Sequence, residues 1–323
     1  MTVRQSLVLA LGVAAAAVTV AQLPATASPA PTAAHVQTLP GTNCPVFPAD
    51  NPWNQRVDKL PVAKNSAALI AQIGPSDSVH PDFGTVYDGA PNGIPYAAVS
   101  NATKRVPVSF QYASESDGHQ YPLPRNVPIE GGARSSGDRH VIVVNKDTCT
   151  DYELFAAYPV SNGARWKAGS GAIFNLRSNK LRPAGWTSAD AAGLPILAGL
   201  AIYGEAASGA IRHALRFTAS CTSAHYVYPA RHEAGSCGSG APPMGLRVRL
   251  KASVNISHLP RQARIVAQAL KTYGMILADN GSPWFISGAP SPHWNDDALH
   301  ELDQLTGRDF QVVDTGSQPH PGR

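Results

Sequence analysis

Beyond residue 20 the chain has no apolar run long enough to cross a membrane, which takes roughly 20 residues for a hydrocarbon core of about 30 Å. It has no C-x-x-C and no Cys/His pair at ligand spacing, which argues against a cysteine-held metal. There is no G-x-S-x-G, H-E-x-x-H, P-loop or G-x-G-x-x-G. Their absence argues against α/β-hydrolase, zincin, nucleotide and dinucleotide chemistry, and no cofactor is expected. Asp82-Phe83-Gly84 matches a kinase tripeptide without any companion motif and reads as a turn. The net charge is only +4, and neither a Lys/Arg run nor basic–aromatic interleaving occurs, so nucleic acid is not an expected partner.

What is present begins with an export signal. Arg4, the apolar run Leu7–Val20 and the A-x-A site Ala25-Thr26-Ala27 read as a cleavable signal peptide over 1–27. Residues 28–43 form an Ala/Pro/Thr-rich lead-in, 44–315 a single β-rich domain, and 316–323 a polar tail. After cleavage no membrane association is expected, and the mature chain is expected to be a monomer. Cys44, Cys149, Cys221 and Cys237 are an even count in an exported chain and imply two disulfides. Spacing does not choose among the three pairings. Cys221–Cys237, clipping a Gly/Ser-rich loop, together with Cys44–Cys149 is favoured.

Short runs of β-forming residues between frequent Gly and Pro predict strands at Val106–Tyr112, His140–Asn145, Tyr152–Tyr158, Ile211–Thr218, His225–Tyr228, Leu246–Lys251 and Phe310–Asp314. Asn280-Gly281 between Met275–Asp279 and Trp284–Ser287 predicts a tight hairpin. Helices are expected at Ser66–Ile73, Pro260–Tyr273 and Asn295–Leu305, with helical turns near Ser188–Ala192 and Tyr203–Ser208. The expected fold class is mainly β, an antiparallel β-sandwich or jelly roll with a few peripheral α-helices.

Polar residues in apolar or glycine-rich settings are the candidates for chemistry. Glu130 sits against Gly131-Gly132, where backbone can approach a ligand. Asp138 and His140 alternate onto one face at a strand start and could form an acid–base pair, with Arg139 between them. Glu153 shares a strand face with Phe155 and Ala157, and carboxylates there are rarely unpaired. His213 lies on the apolar face of Ile211–Phe217, as a core histidine or a catalytic imidazole. Arg212 and Arg216 on the other face, with Arg247, Arg249 and Lys251, could form a basic sheet surface for an acidic polysaccharide. Asp190 and Asp279 have structural explanations as cap and hairpin residue. The tryptophans lie mostly in loops, where rings can stack on sugars or plug a core.

From Cys44 to Thr315 the chain resembles a widespread set of secreted actinobacterial proteins with no settled activity. The stretches that carry the resemblance include Cys44–Asn54, His80–Gly84, Pro128–Gly132, Gly137–His140, Ala191–Pro195, Ile211–Leu215 and Tyr273–Asp279. The resemblance implies secretion and a single domain and carries over no catalytic residue.

The leading expectation is a secreted glycan-active enzyme, a glycoside hydrolase in which two carboxylates flank the scissile bond of an extracellular polysaccharide. Glu130 and Glu153 are its candidate pair, assisted by Asp138, His140 and His213. Arg139, Arg212, Arg249, Trp186 and Tyr226 are the candidate substrate-binding residues. The alternatives are a polysaccharide lyase, with Arg212 and Arg249 holding a uronate near His213 and Tyr226, and a non-catalytic carbohydrate-binding or wall-associated protein.

Overall fold

A computed structural model describes residues 38–321. The expected signal peptide, residues 28–37 of the expected lead-in and the last two residues of the chain lie outside the described residues.

The described chain is mainly β, with short helices at the edges of its sheets. Three sheets carry the architecture. The largest has the strand order His80–Asp82, Phe285–Ser287, Leu215–Ala219, Met275–Asn280, Arg247–Leu250, Phe310–Val312. The second runs Ser170–Asn175, Thr150–Phe155, Val141–Asn145, Tyr96–Val99, and the third Gln120–Tyr121, Val106–Phe110, Arg165–Ala168, Tyr158–Val160. Pairing is mixed. Leu215–Ala219 runs parallel to Met275–Asn280, and Tyr96–Val99 parallel to Val141–Asn145, among otherwise largely antiparallel ladders.

Side-chain alternation explains how the layers stack. Ile142 and Val144 face the core that the largest sheet shares with the helix Arg261–Thr272, whereas Val141 and Val143 face a second core with Val106, Val108 and Trp166. The second sheet is therefore buried on both faces, so Val141–Val144 is a continuous apolar run without polar alternation. Each of these shielded side chains contributes about 2 kcal/mol. The helix Arg261–Thr272 lays Ala263, Val266, Ala267 and Leu270 on the largest sheet, the stripe its spacing predicts. Cys44 pairs with Cys149 and Cys221 with Cys237. No described helix is long and apolar enough to cross a membrane.

Several local expectations are corrected. Met275–Asn280 and Phe285–Ser287 do not form a hairpin, because Leu215–Ala219 lies between them and pairs with both. The chain from Gly281 to Trp284 instead bridges over the end of that strand, with the Trp284 N–H donating to Thr218 O at 3.1 Å. The expected strand Tyr152–Tyr158 breaks at Ala156 (φ 49°), and Tyr158–Val160 joins a different sheet. Ser188–Ala192 is a series of turns rather than a helical segment. The basic sheet surface does not exist. Arg216, Arg247 and Arg249 are buried, and Arg247 and Arg249 donate to the carbonyls of Pro52, Val57 and Leu60, satisfying a loop that crosses the sheet.

Candidate active site

Four separate stretches meet beside the central strands Leu215–Ala219 and Met275–Asn280 of the largest sheet. The first is the loop carrying Glu130, turned by Gly131 (φ 66°) and Gly132 (φ 85°). The loop returns to the strand Val141–Asn145 through Arg139, which adopts φ 55°. That conformation costs a non-glycine residue about 1–3 kcal/mol. Arg139 is held in it by donating to the carbonyls of Ala133, Ser135 and Ala157 and by stacking over the Tyr158 ring at 4.3 Å. Arg139 is thus buried in loop contacts and offers no guanidinium to a substrate.

The turn at Arg139 means that Asp138 and His140 do not share a strand face. His140 Nδ1 instead meets Glu130 Oε2 at 2.7 Å, and its Nε2 lies 3.1 Å from Ala189 O. Both acceptors suit an imidazolium that donates from both nitrogens. Burial works against the charged ring, but the Glu130 carboxylate outweighs it and carries His140 to about 9. Burial also opposes the Glu130 charge, yet His140 holds that carboxyl below its ordinary range.

The second and third stretches bring Asp190 and Arg216. The buried guanidinium binds Asp190 through two bonds of 2.9 and 3.1 Å and donates to Ser287 Oγ at 2.6 Å. Such a two-pronged, charge-assisted pair offsets the cost of burying both ions. The fourth stretch brings Asp279, 3.6 Å from Arg216. A β-bulge decides that position. Arg216 pairs with Ile276 and Phe217 with Leu277, but Thr218 pairs with Asp279, leaving Ala278 as the extra residue. Regular alternation would put Asp279 on the face of Leu277, away from Arg216. The bulge turns it to the Arg216 side. Burial first, and then the charge of Asp190, push the Asp279 carboxyl up to about 7, with Arg216 pulling the other way.

Above this floor opens a cleft of about 420 Å³, lined by Glu115, Asp138, Phe155, Asp190, His232 and Asp279 among others, with the exposed Tyr112 on its rim. Asp138 is exposed and its carboxylate has no hydrogen-bond partner among the described residues. Glu115 accepts from the Thr187 N–H at 3.1 Å and lies 3.9 Å from His232 Nε2. Asp82 lies near the Glu130–His140 pair. Its side chain reaches the surface, but crowding by the neighbouring walls raises its pKa, with His80 and Arg216 pulling it down and the charges of Glu130 and Asp138 adding to the rise. Among the described residues no group of three or more His, Cys, Asp or Glu is arranged to hold a metal ion.

The structure therefore gathers Glu130, Asp138 and His140 but leaves the other candidates elsewhere. Glu153 is fully buried and accepts the backbone N–H groups of Ile196 and Leu197 at 2.9 and 2.8 Å, closing the start of a short 3-10 turn. His213 is a core histidine between Ala214 O and Glu205. Tyr226 is buried, Arg249 binds backbone, and Arg212 is exposed in a separate groove with Arg56 and Arg264. Trp186 stacks on Arg182 beside another groove, and the other four tryptophans are buried. Sequence reasoning passed over Glu115, explained Asp190 and Asp279 as cap and hairpin residue, and gave Arg216 to a basic sheet surface, so it missed all four as members of one site. The one local signal is an Asp at the end of the apolar run Met275–Ala278, where a carboxylate needs a buried partner.

Fold and cleft together define a mainly β protein with a carboxylate-lined cleft. No protein-family model, no curated protein and no solved structure matches this chain.

Proposed function

We propose that the protein is a secreted hydrolase of an extracellular polysaccharide, with Asp279 as general acid and Asp138 as general base. The observation that carries the reading is the pairing of a carboxyl raised to about 7 with an unpartnered, exposed carboxylate on one cleft. A carboxyl that keeps its proton near neutral pH, with a second carboxyl on the same cleft, is what acid–base cleavage of a glycosidic bond requires. Asp279 donates its proton to the leaving oxygen as the bond to the anomeric carbon breaks. Asp138 takes a proton from the water whose oxygen forms the new bond. Asp190 and Arg216 set the proton affinity of Asp279, and the Glu130–His140 pair holds the loop that presents Asp138. Tyr112 and Phe155 offer ring faces to sugar C–H surfaces. The two disulfides support work in an oxidising compartment.

Elimination from a uronate finds less support, since Arg212, Arg249, His213 and Tyr226 lie outside the cleft. The test is product release from a broad polysaccharide panel, followed by reducing ends and ultraviolet absorbance. Reducing ends without absorbance, abolished by Asp279→Asn and by Asp138→Asn, are expected. Full activity in both variants would overturn the assignment. Absorbing products would mean a lyase, and binding without turnover a non-catalytic protein.

A further inference from the structure

Arg212 is exposed in a groove of about 400 Å³ that is separate from the acidic cleft. The parallel strands Leu215–Ala219 and Met275–Asn280 fix the separation. Arg212 and Tyr273, which line the groove, lie just before the first residues of these strands. Asp279 and Asn280, which line the cleft, are the last two residues of the second. Groove and cleft therefore open at opposite ends of the same pair of strands.

Three guanidiniums from separate stretches line the groove, those of Arg56, Arg212 and Arg264, and no carboxylate does. Two of them are anchored with donors to spare. Arg56 donates through Nε and Nη2 to Asp58 at 3.2 and 2.7 Å, and its Nη1 has no acceptor among the described residues. Arg264 donates through Nη1 to the carbonyls of Ser257 and Leu259 at 3.2 and 3.4 Å, and its Nε and Nη2 have none. The Arg212 side chain makes no hydrogen bond and no ion pair with any described residue. Nor does the preceding helix Tyr203–Ser208 need it as a cap. The carbonyls of Glu205, Ala206 and Ala207 already accept from Ala210, Gly209 and Arg261. Asp58 thus offsets one of three positive charges, and the other two face the groove uncompensated.

We propose that this groove binds a phosphate group of an anionic polymer, with Arg56, Arg212 and Arg264 donating to its oxygens. The arrangement of donors selects the ligand. A carboxylate is filled by one guanidinium fork, as Asp58 is by Arg56. A tetrahedral phosphate presents oxygens in several directions and takes donors from guanidiniums on separate stretches. Ile211 and Ile265 give the groove an apolar side that lowers the local dielectric and strengthens such bonds. The net charge of +4 draws a polyanion to the protein as a whole. The site goes beyond the proposed hydrolysis. It holds the protein on an anionic chain at one end of the strands and leaves the cleft open at the other.

The experiment is calorimetric titration of the purified protein, both disulfides formed, with poly(glycerol phosphate), polygalacturonate and dextran at low salt. Saturable binding of poly(glycerol phosphate) is expected, with weaker binding of polygalacturonate and none of dextran. Arg212→Gln breaks no hydrogen bond within the described residues and is expected to weaken phosphate binding about tenfold. The double variant Lys104→Gln/Arg134→Gln removes two exposed charges outside the groove and is expected to bind nearly as the wild type does. Asp279→Asn is expected to bind unchanged. Absence of phosphate binding, equal affinity for polygalacturonate, or an equal loss in the Lys104/Arg134 variant overturns the site. A loss in Asp279→Asn also overturns it, by placing the polymer in the cleft. The hydrolase reading fails separately. Polysaccharide cleavage without phosphate binding removes this site alone, and phosphate binding without cleavage of any polysaccharide removes the hydrolase alone.

Discussion

Replacing Glu130 by glutamine keeps the shape of the loop and a neutral acceptor for His140 but removes the charge that holds the imidazolium. The His140 side chain is only 3% exposed, so solvent screens the pair little. Burial alone would favour the neutral ring, and Glu130 reverses that, raising His140 from 6.5 to about 9. At 1.36 kcal/mol per pKa unit the rise corresponds to about 3 kcal/mol of folding stability. The sign follows from a folded pKa above the unfolded one. The contribution is complete below pH 6.5 and disappears as pH climbs through about 9. The depressed Glu130 pKa is the same interaction seen from its partner and is not added again. Asp138 and Arg216 also act on His140, in opposite directions. Asp279 titrates in another window, since its raised pKa makes its contribution fall between 3.8 and about 7. Urea unfolding of wild type and Glu130→Gln, from about pH 5 to about pH 10, isolates the effect as a difference. The variant is expected to be about 3 kcal/mol less stable at acidic pH, with the gap closing towards pH 10. A gap that is flat, or that widens with pH, would refute the charged pair.

Three further outcomes follow from the same geometry. Activity dependent on protonated Asp279 is expected to decline above pH 7, and Asp190→Asn is expected to move that decline to lower pH, because it removes the neighbouring negative charge and frees Arg216; a pH–rate profile of both proteins checks this. Asp151 is fully buried and held protonated, first by burial and then by Glu153, so it costs stability at any pH where the unfolded chain ionises it. Asp151→Asn, whose amide can donate to Glu153, is expected to raise the urea midpoint at pH 7, and an unchanged or lower midpoint counts against a neutral Asp151. Cys44–Cys149 spans 105 residues and Cys221–Cys237 spans 16. Loop entropy assigns about 4.7 kcal/mol to the former and about 3 to the latter, so alanine at the first pair is expected to lower Tm more than at the second.

Much of the local structure was legible in the residues themselves. The helix Ser66–Ile73 has the expected bounds, ending at Gly74. Arg261–Thr272 matches its apolar stripe. Gly and Pro punctuation marked a β-rich chain, and the strand cores at Val106–Phe110, Val141–Asn145 and Arg247–Leu250 fall inside the expected ranges. These features are set by neighbours within a few residues, through backbone sterics and side-chain periodicity, and the disulfides by the need of an even cysteine set for partners. Only the tertiary structure decided the site. Asn280-Gly281 carries a strong hairpin signal, but a strand some sixty residues earlier in the chain inserts between its arms and pairs with both. Alternation assigns faces only while a ladder stays regular, and the bulge at Ala278 turns Asp279 to Arg216. The left-handed turn at Arg139 separates Asp138 from His140 and hands the imidazole to Glu130. Glu153 and Asp190 look alike as carboxylates in the sequence. One is enclosed against backbone N–H groups and the other lines a cleft, and that difference lies in which distant strands close over them.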